Sequence, residues 1–166
     1  MQLPKKKSNK GYTLVELLIV IILIGILSAF GFNTFSNAQK RAKDAKRKND
    51  IKQYQTALET YASANNSLYP SWTLDGGVNL SGTGNLCSSL SGSPKYLASC
   101  PTDENTSNNY KYNSDGTDDG TATALNWALW ANLEAEEKYW VVCSNGRSAE
   151  VTASSFTVPT SGSCPI

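Results

Sequence analysis

The sequence contains no histidine, and its four cysteines include no Cys-x-x-Cys pair, so a zinc site is not expected. The lack of histidine also removes the commonest catalytic base. The serines lie in low-complexity loops without a base beside them, and no glycine-rich phosphate loop follows a strand. These absences argue against an enzyme and favour a protein that works by binding or assembly.

Charge is missing from one long stretch. No charged side chain occurs from Leu17 to Phe32, and Glu16 is the only charged side chain between Tyr12 and Phe35. About 20 such residues suffice to cross a bilayer as a helix. A carboxylate inside a membrane helix costs about 3 kcal/mol, so Glu16 requires a partner.

Three interpretations of this stretch compete. A secretory signal peptide would account for the basic leader and for the small residues near positions 29–31 and 36–38. It predicts a secreted, disulfide-bonded binding domain whose mature chain starts near Asn33 or Gln39. The apolar run is, however, longer than a usual signal peptide core. A plain membrane anchor leaves Glu16 without a role.

The third interpretation depends on the run KGYTLVELLIVIILIGIL, which resembles the N-terminus of the type IV pilin superfamily, including the type II secretion pseudopilins. In that family a basic leader is cut after a glycine, before an aromatic residue, and a glutamate stands at the fifth mature position. Gly11, Tyr12 and Glu16 occupy those positions here. Tyrosine replaces the commoner phenylalanine. The resemblance implies cleavage between Gly11 and Tyr12 by a prepilin peptidase, which also methylates the new α-amine of Tyr12.

The resemblance also implies a role for Glu16. Its carboxylate and the α-amine of Tyr12 on a neighbouring subunit can neutralise each other inside a helix bundle, which would set the stagger between subunits. The implied partners are identical and related subunits, the peptidase, an inner-membrane assembly platform and, before assembly, membrane lipid. The implied location is the cytoplasmic membrane as a single-pass precursor and then an extracellular filament. The implied function is adhesion, motility or DNA uptake, with protein export by a secretion pseudopilus as the alternative.

Charge is segregated along the chain. Residues 1–11 carry four lysines, whereas residues 53–166 have a net charge of −7, which argues against direct nucleic-acid binding by the head. Between them lies the basic segment KRAKDAKRKNDIK, residues 40–52. We expect this segment to be a solvated face that pairs with acidic side chains of neighbouring subunits.

The predicted fold class is α+β, with a long N-terminal helix packed on a small antiparallel meander. The predicted parts are the leader (1–11), a transmembrane and filament-core half of the helix (12–35), an amphipathic half (36–66) and a globular disulfide-containing head (67–166). Helical spacing from Thr13 to Ala64 predicts one helix. Its second half carries an apolar stripe formed by Ile51, Tyr54, Leu58, Tyr61, Ala62 and Asn65.

In the head, period-two patterns predict three or four strands. They lie near Tyr110 to Tyr112, from Leu125 to Leu133 with apolar groups on one face, from Tyr139 to Cys143, and from Ser148 to Thr152. Asn145-Gly146 predicts a two-residue hairpin turn between the last two. The four tryptophans are interpreted as core and interface residues, with carbohydrate stacking as the alternative.

The four cysteines, Cys87, Cys100, Cys143 and Cys164, predict two disulfides in an exported protein. Three connectivities are open; we favour Cys87 with Cys100 and Cys143 with Cys164, against free thiols in a reducing compartment. Asp115, Asp118 and Asp119 form a weak calcium candidate, because three carboxylates lie within five residues together with two glycines that allow tight turns. The spacing does not fit an EF-hand, so an acidic turn without metal is favoured and no cofactor is expected.

Overall fold

The computed structural model describes residues 11–80, 85–105 and 110–166, with the side chains of 29–34 left out. Residues 1–10 of the basic leader therefore lie outside the described residues. The chain divides into two compact units, residues 1–39 and 40–166. The elements in chain order are α1 (Leu14–Ala64), β1 (Tyr69–Pro70), β2 (Val78–Asn79), α2 (Leu86–Ser91), β3 (Lys111–Ser114), β4 (Ala122–Ala124), β5 (Trp127–Leu133), β6 (Lys138–Cys143) and β7 (Ser148–Thr152).

Helix α1 is unbroken over 51 residues, which confirms the prediction of one long helix. No proline interrupts it. It ends where Asn66 and Ser67 adopt the left-handed conformation, with φ of 56° and 63°. The backbone N–H of Ser67 then donates to the carbonyl of Ala62 at 2.8 Å, which satisfies one of the free carbonyls of the last turn.

The strands form a five-stranded antiparallel sheet in the order β2-β3-β5-β6-β7. Strands β5, β6 and β7 are consecutive, so the predicted meander is confirmed. Strand β4 leaves this sheet to pair with β1 as a separate ribbon, and β3 therefore pairs directly with β5. The sequence did not predict β1, β2 or β4, which are only two or three residues long.

One face of the sheet packs on the apolar stripe of α1. Ile51, Tyr54 and Leu58 are fully buried against a cluster that contains Tyr112 and Trp127. Each such side chain contributes about 1.5 to 3 kcal/mol by its removal from water. The predicted stripe is therefore the face that joins helix and sheet.

The other face of β5 is also buried, which the sequence did not predict. Ala128 and Trp130 belong to a second apolar cluster that includes Phe156 from the C-terminal segment 153–166. The ring centroids of Trp130 and Phe156 are 6.0 Å apart. The predicted start of the strand is wrong as well: Leu125 precedes β5 and is 65% exposed.

The hairpin between β6 and β7 differs from the predicted two-residue turn. The backbone N–H of Cys143 donates to the carbonyl of Arg147 at 3.0 Å, so three residues, 144–146, lie between the bonded positions. Gly146 has a φ of +79°, which is the left-handed position that closes a three-residue turn. The Asn-Gly pair thus marks the turn correctly but not its length.

Candidate assembly site

The predicted cleavage site lies in the non-helical stretch before α1. Gly11 is exposed and Tyr12 is 92% exposed, and the helix begins only at Leu14. A Cβ built at Gly11 would meet no atom within 4 Å. The backbone at the Gly11–Tyr12 bond is therefore accessible, as a protease substrate must be.

Glu16 has a partner that the sequence analysis missed. Its Oε2 accepts hydrogen bonds from the backbone N–H of Thr13 at 2.8 Å and from the Thr13 hydroxyl at 2.9 Å. The Thr13 hydroxyl in turn accepts from the backbone N–H of Glu16 at 3.2 Å. This is a capping box, and its T-x-x-E signature was readable in the sequence. The carboxylate is therefore not unpartnered within one subunit.

The apolar side chains that follow are unpartnered in the single chain. Every large apolar side chain from Leu14 to Leu27 is 46% to 81% exposed, and Phe35 is 64% exposed. Soluble monomers rarely expose a continuous apolar surface of this kind. This part of α1 therefore requires lipid or other apolar helices around it.

Within the described residues, no helix combines the length and the apolar composition needed to cross a membrane. The single membrane span stays a prediction.

The basic segment 40–52 corrects an expectation. Its three central cations pair with acids of the same chain: Lys46 with Glu104 at 2.8 Å, Arg47 with Asp103 at 2.5 Å, and Lys48 with Glu150. We expected the segment to be solvated and to pair with neighbouring subunits. The centre of the segment instead fastens α1 to its own head.

Arg47 is the centre of a buried network. Its side chain is 2% exposed, and its guanidinium binds Asp44 at 2.7 Å, Asp103 at 2.5 Å and Glu134 at 2.5 Å. Burial alone would lower the pKa of Arg47, but the hydrogen bonds to the three carboxylates outweigh it and raise that pKa. The hydrogen bond from Arg47 lowers the pKa of Glu134. Arg47 and Glu134 therefore stay ionised at neutral pH.

Asp44 also holds the turn between β5 and β6. Its two carboxylate oxygens accept hydrogen bonds from the backbone N–H groups of Glu134 at 2.9 Å and Ala135 at 2.8 Å. Further along the same face of α1, Asp50 accepts a hydrogen bond from the buried Tyr110 hydroxyl at 2.7 Å. This part of the buried face of α1 does not belong to the apolar stripe, because its side chains are charged.

The acidic loop uses its carboxylates internally. Asp115 accepts hydrogen bonds from the backbone of Leu125 and from both the backbone and the side chain of Asn126. Burial opposes ionisation of Asp115, but these bonds outweigh it and lower its pKa. Asp118 accepts from the backbone of Thr73, and Asp119 accepts from Thr117 and Thr121. In the described parts of the chain, no group of three or more histidine, cysteine, aspartate or glutamate side chains is arranged to hold a metal ion.

The cysteines pair as Cys87–Cys100 and Cys143–Cys164, the connectivity favoured from the sequence. The first disulfide joins α2 to the loop that leads to Asp103. The second ties the C-terminal segment to the end of β6, beside the second apolar cluster. Each closes a short loop, which is worth about 3 kcal/mol.

The positions of the four tryptophans agree with their interpretation as core and interface residues. Trp127 is fully buried and Trp130 is 4% exposed, whereas Trp72 and Trp140 are half-buried. The ring of Trp140 carries the Lys48 ammonium 5.1 Å from its centroid.

The N-terminal segment matches a known family. Residues 6–32 match the model of the Prokaryotic N-terminal methylation motif, which confirms the resemblance stated for this part of the chain. The chain is similar to the Type IV major pilin protein PilA of Myxococcus xanthus, with 40% identity over 33% of this chain and 25% of that protein. It is also 38% identical to the Type IV major fimbrial protein FimA of Dichelobacter nodosus, over 33% of this chain and 35% of that protein.

A second group of relatives comes from secretion systems. The Type II secretion system core protein G of Vibrio cholerae is 32% identical over 45% of this chain and 49% of that protein. The chain thus aligns with a quarter to about half of the length of the curated relatives described here. No solved structure matches the chain.

Proposed function

We propose that this chain is a structural subunit of a type IV pilus-like surface filament. It is made as a membrane-inserted precursor, cleaved after Gly11, methylated at Tyr12 and polymerised by bundling of its N-terminal helices. The observation that carries this proposal is the methylation motif at residues 6–32. The exposed apolar helix that follows the cleavage site supports it.

Processing fits the geometry of the N-terminus. The bond after Gly11 lies in an exposed stretch before α1, so a membrane prepilin peptidase can reach it without unwinding the helix. Cleavage creates an α-amine at Tyr12, four residues before Glu16. Buried in apolar surroundings, that amine and a carboxylate each need an opposite charge.

Assembly then joins the apolar helices of successive subunits. The α-amine of Tyr12 on one subunit pairs with Glu16 of its neighbour and sets the register, while the exposed side chains from Leu14 to Phe35 exchange lipid for protein contacts. An inner-membrane assembly platform supplies the precursor to the growing filament. The finished filament serves adhesion, motility or DNA uptake and has no catalytic role. We expect no direct binding of nucleic acid by the subunit.

A secretion pseudopilin is the second candidate. One observation favours it: the match to core protein G spans 74 residues, whereas the matches to the major pilins span 55. The similarity to a secretion protein thus covers a longer part of the chain. Long filaments on the cell surface would support the pilus, whereas an export defect in a strain without the gene would support the pseudopilus.

The first test is the intact mass of the protein from membranes and from sheared surface material, before and after reduction. We expect a species that lacks residues 1–11, is heavier by one methyl group and gains two hydrogens for each of the two disulfides. A chain that starts near Asn33 or Gln39 would instead show an ordinary signal peptide and remove the filament core.

A further inference from the structure

Three cations at the start of the second unit differ from the three cations in the centre of the basic segment. Lys40, Arg41 and Lys43 are exposed and lie within about one turn of α1. Among the described residues they form no ion pair, whereas the cations at positions 46–48 all do. Lys43 interacts electrostatically with Glu104 and Glu134 without forming an ion pair, and the exposed ends of all three cations can still meet an external partner.

Their place in the helix indicates the partner. In the sequence, Lys40 follows Phe35, an exposed apolar residue, by only five residues, so the three cations come directly after the apolar run. Long basic side chains also reach back toward the membrane surface. Because the three cations follow the apolar run directly in the sequence, their side chains can reach lipid phosphates when that run is in a membrane.

A second copy of the chain fits this surface less well. Most of the acids near it, Glu104, Glu134, Glu136 and Glu150, are already bound by cations of their own subunit. Glu137, which lines a hollow beside Lys40, forms no ion pair among the described residues. The exposed acidic loop lies at the opposite end of β5, because Asp115 contacts Asn126 there. Anionic lipid, by contrast, presents dense negative charge at the required depth.

We propose that Lys40, Arg41 and Lys43 form a binding surface for the phosphates of anionic lipid headgroups, on which the precursor rests before assembly. This inference depends on the membrane insertion contained in the proposed function. The inference adds a lipid class and three binding residues to the proposed function.

The test uses the full chain reconstituted into phosphatidylcholine vesicles with and without phosphatidylglycerol, isolated by flotation. A water-soluble acetylating reagent labels the lysines, and mass spectrometry gives the labelling of Lys40 and Lys43 relative to Lys52. Lys52 is the matched control, since it is exposed on the same helix farther from the apolar run. The ratio is independent of the orientation of the inserted chains.

We expect phosphatidylglycerol to lower the labelling of Lys40 and Lys43 relative to Lys52 by about fivefold, and high salt to reverse the effect. Equal ratios in both kinds of floated vesicle would overturn the lipid proposal and leave the filament proposal intact. A chain that does not float would overturn membrane insertion and the lipid proposal together. If Lys40 and Lys43 were protected from acetylation only in sheared filaments, their partners would be acids of a second copy. That result would overturn the lipid proposal.

Discussion

Arg47 of helix α1 binds Asp103 through two parallel hydrogen bonds, from Nε to Oδ2 at 2.5 Å and from Nη2 to Oδ1 at 3.1 Å. This bidentate pair joins the helix to the loop that follows the first disulfide. Arginine is suited to the position, because its planar fork matches both carboxylate oxygens while its remaining donors bind Asp44 and Glu134. One side chain thus connects the helix, the loop and the β5–β6 turn.

Replacing Arg47 with methionine would leave three carboxylates buried together without a cation. We expect Arg47→Met to lower the free energy of unfolding of the head by about 3 to 5 kcal/mol. Urea unfolding of the full chain in detergent, followed by tryptophan fluorescence, measures this. Arg41→Met is the matched control, since Arg41 is exposed, and its effect should stay within about 0.5 kcal/mol. Equal effects of the two changes would show that the network contributes no net stability.

Acid should weaken the same part of the head. The hydrogen bond from Arg47 lowers the pKa of Glu134, and the hydrogen bond from Lys48 lowers that of Glu150, both from a usual value of 4.5. The folded state therefore binds protons at these two carboxylates only at a lower pH than the unfolded state does. The stabilisation is complete above about pH 4.5, and it is lost as the pH falls through the lowered pKa values of the folded state.

The measurement is the free energy of unfolding as a function of pH from 7 to 3. We expect Glu134→Gln to lower stability at neutral pH and to flatten the decline below pH 4.5. Asp75→Asn, a change in an exposed turn, is the control for the loss of one negative charge. A decline of unchanged steepness in Glu134→Gln would mean that acid acts elsewhere in the head.

Much of the fold was predictable where one physical signal dominates. The long helix follows from an apolar run and a stripe without proline, and the stripe packs on the sheet through Ile51, Tyr54 and Leu58 as predicted. Asp44 and Arg47 extend the same buried face of α1 toward the N-terminus. They were not predicted to be buried, because both are charged and a pattern of apolar residues does not include them. The spacing of 44, 47 and 51 was visible, but nothing in the sequence marked the acids of the head as its partners.

The sheet shows a second limit. The alternation along β5 predicted that its apolar groups lie on one face, yet Trp130 on the other face is also buried, under Phe156 of the C-terminal segment. That segment has no periodic pattern, so its position depends on the Cys143–Cys164 disulfide and on contacts distant in sequence. The capping box formed by Thr13 and Glu16 was missed for another reason. Its T-x-x-E signature is present in the sequence and could have been used to predict it.

Two adjacent glycines before β2 provide a matched test of packing. Gly76 and Gly77 have φ of +82° and +71°, so alanine is strained at both positions. A Cβ at Gly76 would meet no atom within 4 Å, whereas one at Gly77 would overlap the Trp130 ring and lie 3.0 Å from the carbonyl oxygen of Tyr112. We expect Gly76→Ala to cost about 1 kcal/mol and Gly77→Ala about 3 kcal/mol, because only the second adds overpacking.

The urea midpoint of the full chain in detergent distinguishes the two glycine variants. Equal shifts would show that backbone strain alone sets the cost and that Trp130 moves aside without loss.

The contacts of Glu16 allow its two roles to be separated. Within one subunit its carboxylate caps α1 through Thr13, and in the proposed filament its charge neutralises the α-amine of a neighbour. Glu16→Gln removes the charge but keeps an oxygen that can accept from the Thr13 N–H. Thr13→Val removes the hydroxyl of the cap, at about 1 kcal/mol, but keeps the charge.

We expect both variants to lose residues 1–11 normally, because neither change touches the bond after Gly11. Glu16→Gln should abolish filaments, whereas Thr13→Val should lower their yield only modestly and Thr13→Ser should restore it. The measurements are the intact mass of the cell-bound protein and the amount of protein in sheared surface material. If Thr13→Val abolished filaments as completely as Glu16→Gln, the start of the helix would be what assembly requires, because the charge at position 16 is intact in that variant.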